Sequence, residues 1–320
     1  MLSYIFGKKG ASGFGSGSTA AQIAEKYVDK IDKKVFIVTG ANSGIGKETT
    51  RCLAVHGATV IMACRNMEKC TAAIEELKKD NEGDFKGTFI PMTCDVSSLA
   101  SVRAFVEAFH ALALPLHFLI NNAGIMACPN SQTVDGNEIQ FGTNHLGHFL
   151  LTELLLPDLK KSTGPSRIVI VSSVAHTSVT DKMVDFAKIN ASDNLKPFAY
   201  YAHSKLANAL HAKELNERLS QEEGNTVTVN ALHPGAIATP LLRHAAPSFV
   251  QKIPIPFFKS VPQGAATSMY AICHPELEGN GGQYLADCNI YKTTTQGSDP
   301  ELWKTLREVS VKLTTLNIVV

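Results

Sequence analysis

Two side chains that could exchange a proton stand four positions apart in the sequence Tyr201-Ala202-His203-Ser204-Lys205. On an α-helix this spacing places them on one face, one turn apart. A free tyrosine has a pKa of about 10, too high for a base near neutral pH, but a neighbouring cation lowers that pKa. The pair therefore suits acid/base chemistry. The alternative is a tyrosine and a lysine that merely share a solvated helix face. The adjacent Tyr200 lacks the spacing to Lys205.

A glycine-rich loop lies between the first predicted strand and the first predicted helix, in Thr39-Gly40-Ala41-Asn42-Ser43-Gly44-Ile45-Gly46. Gly40 permits a sharp turn, Gly44 lets the backbone approach a pyrophosphate at the helix N-terminus, and Gly46 permits close helix–strand packing. In this context the loop predicts a dinucleotide site, with Asn42, Ser43 and Ile45 contributing beside the glycines. An ordinary glycine-rich turn between a strand and a helix is the alternative.

The end of the second predicted strand, Ile61-Met62-Ala63-Cys64-Arg65, indicates which dinucleotide would bind. Folds that prefer NAD usually carry Asp or Glu about 20 residues beyond the glycines, where the carboxylate binds the ribose 2′-hydroxyl. Here an uncharged Cys64 is followed by Arg65, which leaves room and positive charge for a 2′-phosphate. We therefore expect NADP(H). A solvent-facing arginine at a strand end is the alternative.

Two further strand ends carry polar residues that could contact the cofactor. Asp95, followed by Val96, is placed to accept a hydrogen bond from an adenine amino group; alternatively Asp95 caps the helix that starts near Ser97. The fourth predicted strand closes with Asn121-Asn122-Ala123-Gly124. We expect this segment to brace the wall of the cofactor site through Asn122, Ala123 and Gly124.

The joint pattern resembles the short-chain dehydrogenase/reductase family: TGxxxGxG, NNAG, a serine closing the fifth strand in IVIVSS, and YxxxK follow in that order. The resemblance covers about residues 33–290 and implies a catalytic group of Asn144, Ser173, Tyr201 and Lys205, with Ser172 as the alternative serine. It implies an NADP(H)-dependent oxidoreductase in which Tyr201 exchanges a proton with a carbonyl oxygen. Extended-family epimerases usually show TGxxGxxG instead.

The resemblance also implies a role for each residue. Lys205 would bind the nicotinamide ribose and hold down the pKa of Tyr201, Ser173 would polarise the carbonyl, and Asn144 would hold a water that relays protons to Lys205. After the sixth strand, the nicotinamide carboxamide would be met by Pro234, Gly235 and Thr239. Taken alone, Pro234-Gly235 is equally a simple turn.

Two patterns point to a branch of the family. The string TNHLGHFLLT and the long Ser173–Tyr201 interval resemble retinol dehydrogenases and the oxidoreductase domain of WW-domain-containing oxidoreductase. The strings GASGFGSGSTAAQI and PQGAATSMYAICHPELEGNGGQYLADCN resemble chloroplast inner-envelope short-chain dehydrogenases. The apolar segment 237–260 could cover a retinoid, steroid or lipid aldehyde; its alternative is a helix pair packed on the sheet or on another subunit. The family implies a homodimer or homotetramer through the helices that hold Asn144 and Tyr201.

Alternating apolar runs and helical patterns predict the elements that must position these residues. Strands are expected at Val35–Val38, Thr59–Ala63, Thr88–Thr93, His117–Ile120, Arg167–Val171, Val227–Ala231 and near Gly282–Leu285, and helices at 44–56, 67–79, 97–111, 138–160, 201–219 and 262–273. This alternation predicts an α/β fold with a doubly wound parallel sheet, a Rossmann fold, in a single domain. We expect that domain at 31–290, a flexible or loosely docked arm at 1–30, because 10–18 reads GASGFGSGS, and a tail at 291–320.

Composition excludes several classes of protein. The 320 residues are 44% hydrophobic, which excludes general disorder, and carry a net charge of +1, which argues against nucleic-acid recognition. No apolar run reaches about 18 residues, so we expect no transmembrane segment, while peripheral membrane association stays open. The seven cysteines show no zinc spacing, so we expect no metal site. We expect an intracellular protein, either cytoplasmic or peripheral on an organelle membrane such as the chloroplast envelope of a plant.

A second function of another class stays open: an NADP(H)-responsive interaction or redox-sensing protein with little turnover. The complete set Asn144, Ser173, Tyr201 and Lys205 argues against it, because a pure sensor could dispense with Tyr201. Oxidation of NADPH with a panel of apolar aldehydes and ketones distinguishes the two functions.

Overall fold

An eight-stranded sheet forms the centre of the part of the chain that the computed structural model describes, residues 9–10, 12–80, 84–180, 184–191, 195–237, 241 and 258–315. The spatial order is β3-β2-β1-β4-β5-β6-β7-β8. The strands are β1 Val35–Thr39, β2 Thr59–Cys64, β3 Thr88–Thr93, β4 Phe118–Asn121, β5 Ser166–Val171, β6 Val227–His233, β7 Tyr284–Ala286 and β8 Asn289–Tyr291. Neighbouring strands are parallel except β7 and β8, which are antiparallel.

The strand order reverses between β1 and β4. The chain builds outward from β1 to β3 and then returns to place β4 on the other side of β1. In open parallel sheets, ligands bind in the crevice at the carboxyl ends of the strands where this reversal occurs. The glycine loop after β1 and the Asn122–Gly124 segment after β4 both lie at that crevice.

The helices cover both faces of the sheet. They are α1 Ala20–Lys26, α2 Gly44–Val55, α3 Met67–Asp80, α4 Leu99–Ala111, α5 Gly147–Lys161, α6 Phe186–Ala191, α7 Pro197–Ser220, α8 Val261–Cys273 and α9 Pro300–Thr314. Along β1 the side chains alternate between two apolar clusters: Phe36 and Val38 pack with α1, α2 and α8, whereas Val35 and Ile37 pack with α4, α5 and α7. A strand buried on both faces explains the continuous apolar run.

The structure confirms the predicted doubly wound α/β fold, but the described residues also form four of the numbered elements outside the predicted strands and helices: α1, α6, β8 and α9. Strand β8 pairs with β7 at the edge of the sheet, and α9 occupies much of the predicted tail. Helix α9 buries Leu306, Ser310 and Thr314, which stand four residues apart and so share one face. Only one of these three is strongly apolar, which explains why the pattern was weak.

The amino-terminal segment is docked more closely than its composition indicates. Thr19 and Gln22 form a reciprocal capping box at the start of α1, and Ile23 is fully buried among the side chains that pack with α8. The expectation of a flexible or loosely docked arm is therefore wrong for α1. The glycine- and serine-rich run precedes this helix and says nothing about it.

Most of the predicted substrate flap, 237–260, lies outside the described residues. Of this segment the structure describes Ile237, Leu241 and residues 258–260, and Ile237 forms a parallel bridge with Lys259. None of the helices in the described ranges is long and apolar enough to cross a bilayer.

Candidate active site

The glycine loop is shaped by close contacts that exclude side chains. Gly40 and Gly44 have φ values of +66° and +52°, in the left-handed region that glycine adopts without strain. At Gly46 a Cβ atom would lie 2.4 Å from the carbonyl oxygen of Gly40, far inside van der Waals contact. The beginning of α2 is thus held against the turn that follows β1, and each glycine has a steric reason.

The amino terminus of α2 has amide groups to offer a ligand. Ser43 occupies the N-cap position, but its side chain makes no capping hydrogen bond. Ser43 is exposed, and Asn42, Gly44 and Ile45 are half-buried, so the loop reaches solvent on its outer side. Free amide donors and the positive end of the helix dipole favour an anion such as a pyrophosphate.

Thr39 joins the ends of β1 and β4. Its hydroxyl oxygen accepts hydrogen bonds from the amides of Asn122 and Ala123, each at 2.9 Å, and the Asn122 side chain donates to the Thr39 carbonyl at 2.8 Å. The segment after β4 continues to Gly124, where a Cβ would lie 3.2 Å from Asn144 Oδ1 and 3.5 Å from Lys205 Nζ. The predicted cofactor wall therefore runs directly up to the predicted catalytic residues.

Arg65 and Cys64 provide the charge pattern that we associated with a 2′-phosphate. Arg65 is exposed and makes no ion pair or hydrogen bond with any residue that the structure describes. The hydrogen bond with Cys70, together with burial, raises the pKa of the Cys64 thiol, so this position stays uncharged. An unpaired cation therefore stands beside a neutral residue at the strand end.

Asp95 lies in a turn rather than at a helix cap. Its Oδ1 accepts hydrogen bonds from the amide and the hydroxyl of Ser97, at 2.9 and 2.6 Å. Ser98 is the N-cap of α4, so the alternative role of Asp95 as that cap is wrong. Val96 is buried, and its carbonyl oxygen would be 1.9 Å from a Cβ at Gly147, which brings α5 against this turn.

Tyr201 and Lys205 lie on one face of α7, as the spacing predicted. The ammonium of Lys205 is 5.7 Å from the centroid of the Tyr201 ring and donates to the Val171 carbonyl at 3.0 Å. Both side chains are buried, and the Tyr201 phenol hydrogen-bonds with Ser173. Helix α7 and the end of β5 thus bring together three of the four predicted catalytic residues.

The two serines after β5 have different surroundings. Ser172 is buried and its hydroxyl donates to the carbonyl of Lys205 at 2.6 Å, so it is engaged in holding β5 to α7. Ser173 is half-buried, reaches Tyr201, and accepts from the Ala175 amide at 3.2 Å. Only Ser173 is therefore directed towards the phenol.

Asn144 lies in a π-helical turn, Gly142–Leu146, that leads into α5. Its side-chain amide donates to the Ile125 carbonyl and to the Ser204 hydroxyl, both at 2.9 Å, while its oxygen accepts from the Ile125 amide at 2.9 Å. Single π-turns inside helices often occur at functional sites. This turn fixes Asn144 between the segment after β4 and the helix of Tyr201.

Burial controls the protonation of the two central groups. It raises the pKa of Tyr201 to about 12, although the hydrogen bond with Ser173 acts in the opposite direction. It lowers the pKa of Lys205 to about 7, since the buried ammonium has little contact with water. We expected Lys205 to hold down the pKa of Tyr201, but the protein side chains alone produce the opposite shift. At neutral pH Tyr201 is a protonated phenol.

The segment after β6 reaches the serine side of the site. The Val174 amide donates to His233 Nδ1 at 3.1 Å, which ties this segment to the residue after Ser173. Pro234 is buried and Gly235 has a φ of +100°, with Lys259 close to it. Thr239, the third residue predicted for the nicotinamide carboxamide, lies outside the described residues.

Three polar residues of the site were missed by sequence reasoning. Thr39 is the hub described above, His148 lies between Thr39 and Asn144, and His176 Nδ1 is 2.6 Å from the Ser173 carbonyl. His148 and His176 are buried. A single histidine within an apolar run gives no local sign of what it will contact.

Helix α9 lies on the helices that we expected to form subunit interfaces. Leu306 is buried there, His145 Nε2 is 2.8 Å from Ser310 Oγ, and Arg307 is 3.3 Å from Glu214 on α7. A segment of the same chain therefore occupies part of the face next to the Asn144 turn and α7. An interface through that part would have to include or displace α9.

Comparison with known proteins gives consistent relatives. The protein is 43% identical to short-chain dehydrogenase TIC 32 B, chloroplastic, from Brassica napus, over 97% of both chains. It is 41% identical to retinol dehydrogenase 12 of Mus musculus, over 89% of this chain and 87% of that one. The crystal structure of an uncharacterized protein from Mycobacterium paratuberculosis superposes with a TM-score of 0.70 at 32% identity, over 92% and 99% of the two chains.

These relatives confirm both resemblances that the motifs indicated, to chloroplast short-chain dehydrogenases and to retinol dehydrogenases. Residues 34–248 match the family described as short chain dehydrogenase. The match includes the glycine loop, the Asn144 turn and the helix of Tyr201 and Lys205. The chain therefore belongs to the short-chain dehydrogenase family of oxidoreductases.

Proposed function

We propose that this oxidoreductase interconverts an apolar alcohol and its carbonyl compound with NADP(H), and that Tyr201 is its acid/base. The observation that carries the proposal is the buried Tyr201 phenol, hydrogen-bonded to Ser173 and one helical turn from Lys205. A serine hydroxyl and a phenol that converge can bind one carbonyl oxygen. Such a pair of donors polarises the carbonyl and protonates it.

The residues present fit a dinucleotide with a 2′-phosphate. Gly40, Gly44 and Gly46, with Asn42, Ser43 and Ile45, would hold the pyrophosphate, since a Cβ at Gly46 would fill the turn and the α2 amides lack a side-chain cap. The unpaired Arg65 would bind the 2′-phosphate. The remaining contacts would come from Asp95 and Val96 at the adenine, from Asn122, Ala123 and Gly124 along the wall, from Tyr201 and Lys205 at the ribose, and from Pro234, Gly235 and Thr239 at the carboxamide.

The protein side chains account for the proton. When bound, the nicotinamide supplies or accepts the hydride. Tyr201 is protonated at neutral pH, so it is ready to donate to a carbonyl oxygen. Asn144 Oδ1 and Lys205 Nζ both face the space beside Gly124. A water there would bridge them and return a proton to the site through Lys205, whose pKa of about 7 suits a relay.

Exposed apolar side chains beside the phenol favour an apolar substrate. Phe198 is 50% exposed and its ring lies 6.2 Å from that of Tyr201, and Val174, the neighbour of Ser173, is 38% exposed. Large exposed apolar groups around polar catalytic atoms are typical of ligand sites. Retinol dehydrogenase 12 acts, by its name, on an apolar alcohol, which supports a retinoid, steroid or lipid aldehyde here.

The relatives also bear on location. The chloroplastic protein of Brassica napus supports a chloroplast location for this chain if its source is a plant.

Replacing Tyr201 by Phe tests the proposal. Loss of the proton donor should lower kcat for a retinal or a long-chain aldehyde by roughly 100- to 10,000-fold. The NADPH dissociation constant, measured by fluorescence, should change by less than about twofold, because one hydroxyl is removed from a site with many contacts. Tyr200→Phe is the matched control, since Tyr200 is also buried on α7 but its hydroxyl accepts a hydrogen bond from the Leu195 amide.

Two results would contradict the proposal. Substantial turnover by Tyr201→Phe would exclude Tyr201 as the acid/base. Tight NADPH binding with no turnover of any apolar aldehyde or ketone by the unaltered protein would favour the sensing function instead.

A further inference from the structure

The Thr39 hydroxyl has a single good direction for its proton. Its oxygen already accepts two amide hydrogen bonds, from Asn122 and Ala123, which occupies both lone pairs. The hydroxyl proton must therefore go to an acceptor. The Ile120 carbonyl is 3.4 Å away, whereas His148 Nε2 is 2.9 Å away and is the better partner.

The second nitrogen of His148 fixes the tautomer. His148 Nδ1 lies 3.1 Å from the backbone carbonyl of Asn144, which can only accept, so Nδ1 carries the proton. Nε2 is then free to accept from Thr39. Burial lowers the pKa of His148 to about 4, so the neutral form with one donor and one acceptor is the one present at neutral pH. Only one placement of the protons on Thr39 and His148 therefore satisfies all of these hydrogen bonds.

We infer that His148 is a positioning residue that fixes the cofactor wall relative to the Asn144 turn. On one side it anchors Thr39, which holds the amides of Asn122 and Ala123 after β4. On the other it anchors the carbonyl of Asn144 in the π-helical turn. This inference rests on the proposed function, because the relative position of the cofactor wall and the Asn144 turn matters only if hydride and proton are delivered to one substrate.

His145 provides an internal comparison three residues earlier, within the π-helical turn itself. It is equally buried, but its Nε2 is hydrogen-bonded to Ser310 on α9 instead of to Thr39. A substitution at His145 should weaken the packing of α9 without changing the position of the cofactor wall relative to the Asn144 turn. It is therefore the control for damage to the turn in general.

Two half-mimics of histidine separate the two contacts. In His148→Gln the amide oxygen stands near the Nε2 position and keeps an acceptor for Thr39, but the donor to Asn144 is lost. In His148→Asn the side-chain amide stands near the Nδ1 position and keeps the donor to Asn144, but the acceptor for Thr39 is lost. His148→Phe removes both contacts at similar volume.

The expected results differ between the two variants. His148→Gln should lower kcat about tenfold and leave the NADPH dissociation constant within about twofold. His148→Asn should raise the NADPH dissociation constant about tenfold and leave kcat at saturating NADPH within about twofold. His148→Phe should show both losses, and His145→Phe neither. Amide exchange measured by NMR should become faster at Ile125 in His148→Gln and at Asn122 and Ala123 in His148→Asn.

The inference would be overturned by equal changes of kcat and affinity in His148→Gln and His148→Asn, by no change in either, or by the same kcat loss in His145→Phe. Failure of the proposed function looks different: the unaltered protein would then turn over no aldehyde or ketone. In that case the NADPH dissociation constants and the pattern of amide exchange still decide whether His148 links the two parts.

Discussion

The cofactor side and the catalytic side of the site depend on different kinds of residue. On the cofactor side, between β1 and α2, the shape depends on side chains that are missing: Gly40 and Gly46 approach each other so closely that a Cβ would clash. On the catalytic side, between β5, α5 and α7, it depends on buried polar side chains. Asn144, Tyr201 and Lys205 are almost fully buried. The side chains of Asn144 and Lys205 donate hydrogen bonds to the backbone carbonyls of Ile125 and Val171.

This difference predicts which kind of substitution should damage each side. Added volume should damage the cofactor side, because its geometry is a matter of steric contact. Removed polar atoms should damage the catalytic side, because burial has shifted the pKa values there and each partner is needed. Substitutions on the two sides should therefore separate NADPH affinity from turnover.

The largest effect is expected from Lys205→Met on the catalytic side. Removing the ammonium should lower kcat roughly 100- to 10,000-fold, because the proton relay and the ribose contact are both lost. Lys213→Met is the control, since Lys213 is a partly buried lysine of the same helix outside the site. Retention of more than about a tenth of the wild-type kcat would contradict a role for Lys205 in the relay.

The same variant should be more stable than the wild type. The pKa of Lys205 is lowered from 10.5 in the unfolded chain to about 7 in the folded protein, so between these values only the unfolded chain binds the proton. Protons then favour unfolding, and the wild type loses stability as pH falls from about 10.5 to 7. The stability gained by Lys205→Met in urea unfolding should therefore be largest near pH 7 and shrink as pH rises. A gain that is constant with pH would argue against a buried lysine.

On the cofactor side, Gly46→Val should raise the NADPH dissociation constant about 100-fold and lower the free energy of unfolding by about 1–3 kcal/mol. The Gly40 carbonyl, 2.4 Å from the new Cβ, has to move, and the turn moves with it. In contrast, kcat at saturating NADPH should fall much less. Gly17→Ala, at an exposed glycine with open space around it, is the control. Unchanged affinity would show that the close packing of α2 is not needed for binding.

Arg65→Gln should have a smaller effect on one cofactor only. Loss of a charge-assisted contact should raise the NADPH dissociation constant about tenfold, while that of NADH, which lacks the 2′-phosphate, stays within about twofold. Isothermal titration with both cofactors measures the difference. Equal weakening of NADPH and NADH would show that Arg65 does not recognise the phosphate.

The two sides also differ in how far the sequence predicts them. Glycine spacing is local and each glycine has a steric meaning, so the loop after β1 and its place in the sheet followed from the sequence. The Tyr201–Lys205 spacing was also local. The direction of the Tyr201 pKa was not predicted, because it depends on burial by residues distant in the sequence. The same is true of the contact between His148 and Thr39, which stand 109 positions apart in the sequence. Helix α9 was missed because its buried face carries a serine and a threonine instead of apolar side chains.

The smallest effect concerns two buried histidines outside the catalytic group, His145 and His233. Burial lowers the pKa of His145 to about 3 and that of His233 to about 3, against 6.5 in the unfolded chain. Below pH 6.5 the unfolded chain therefore binds protons that the folded protein does not, so stability is lost as pH falls from about 6.5 towards 3. Each such histidine adds about 1.4 kcal/mol per pH unit to that slope. His145→Gln should reduce the slope in urea unfolding by about this amount. An unaltered slope in His145→Gln would mean that the protein opens locally around His145 and admits the proton before it unfolds.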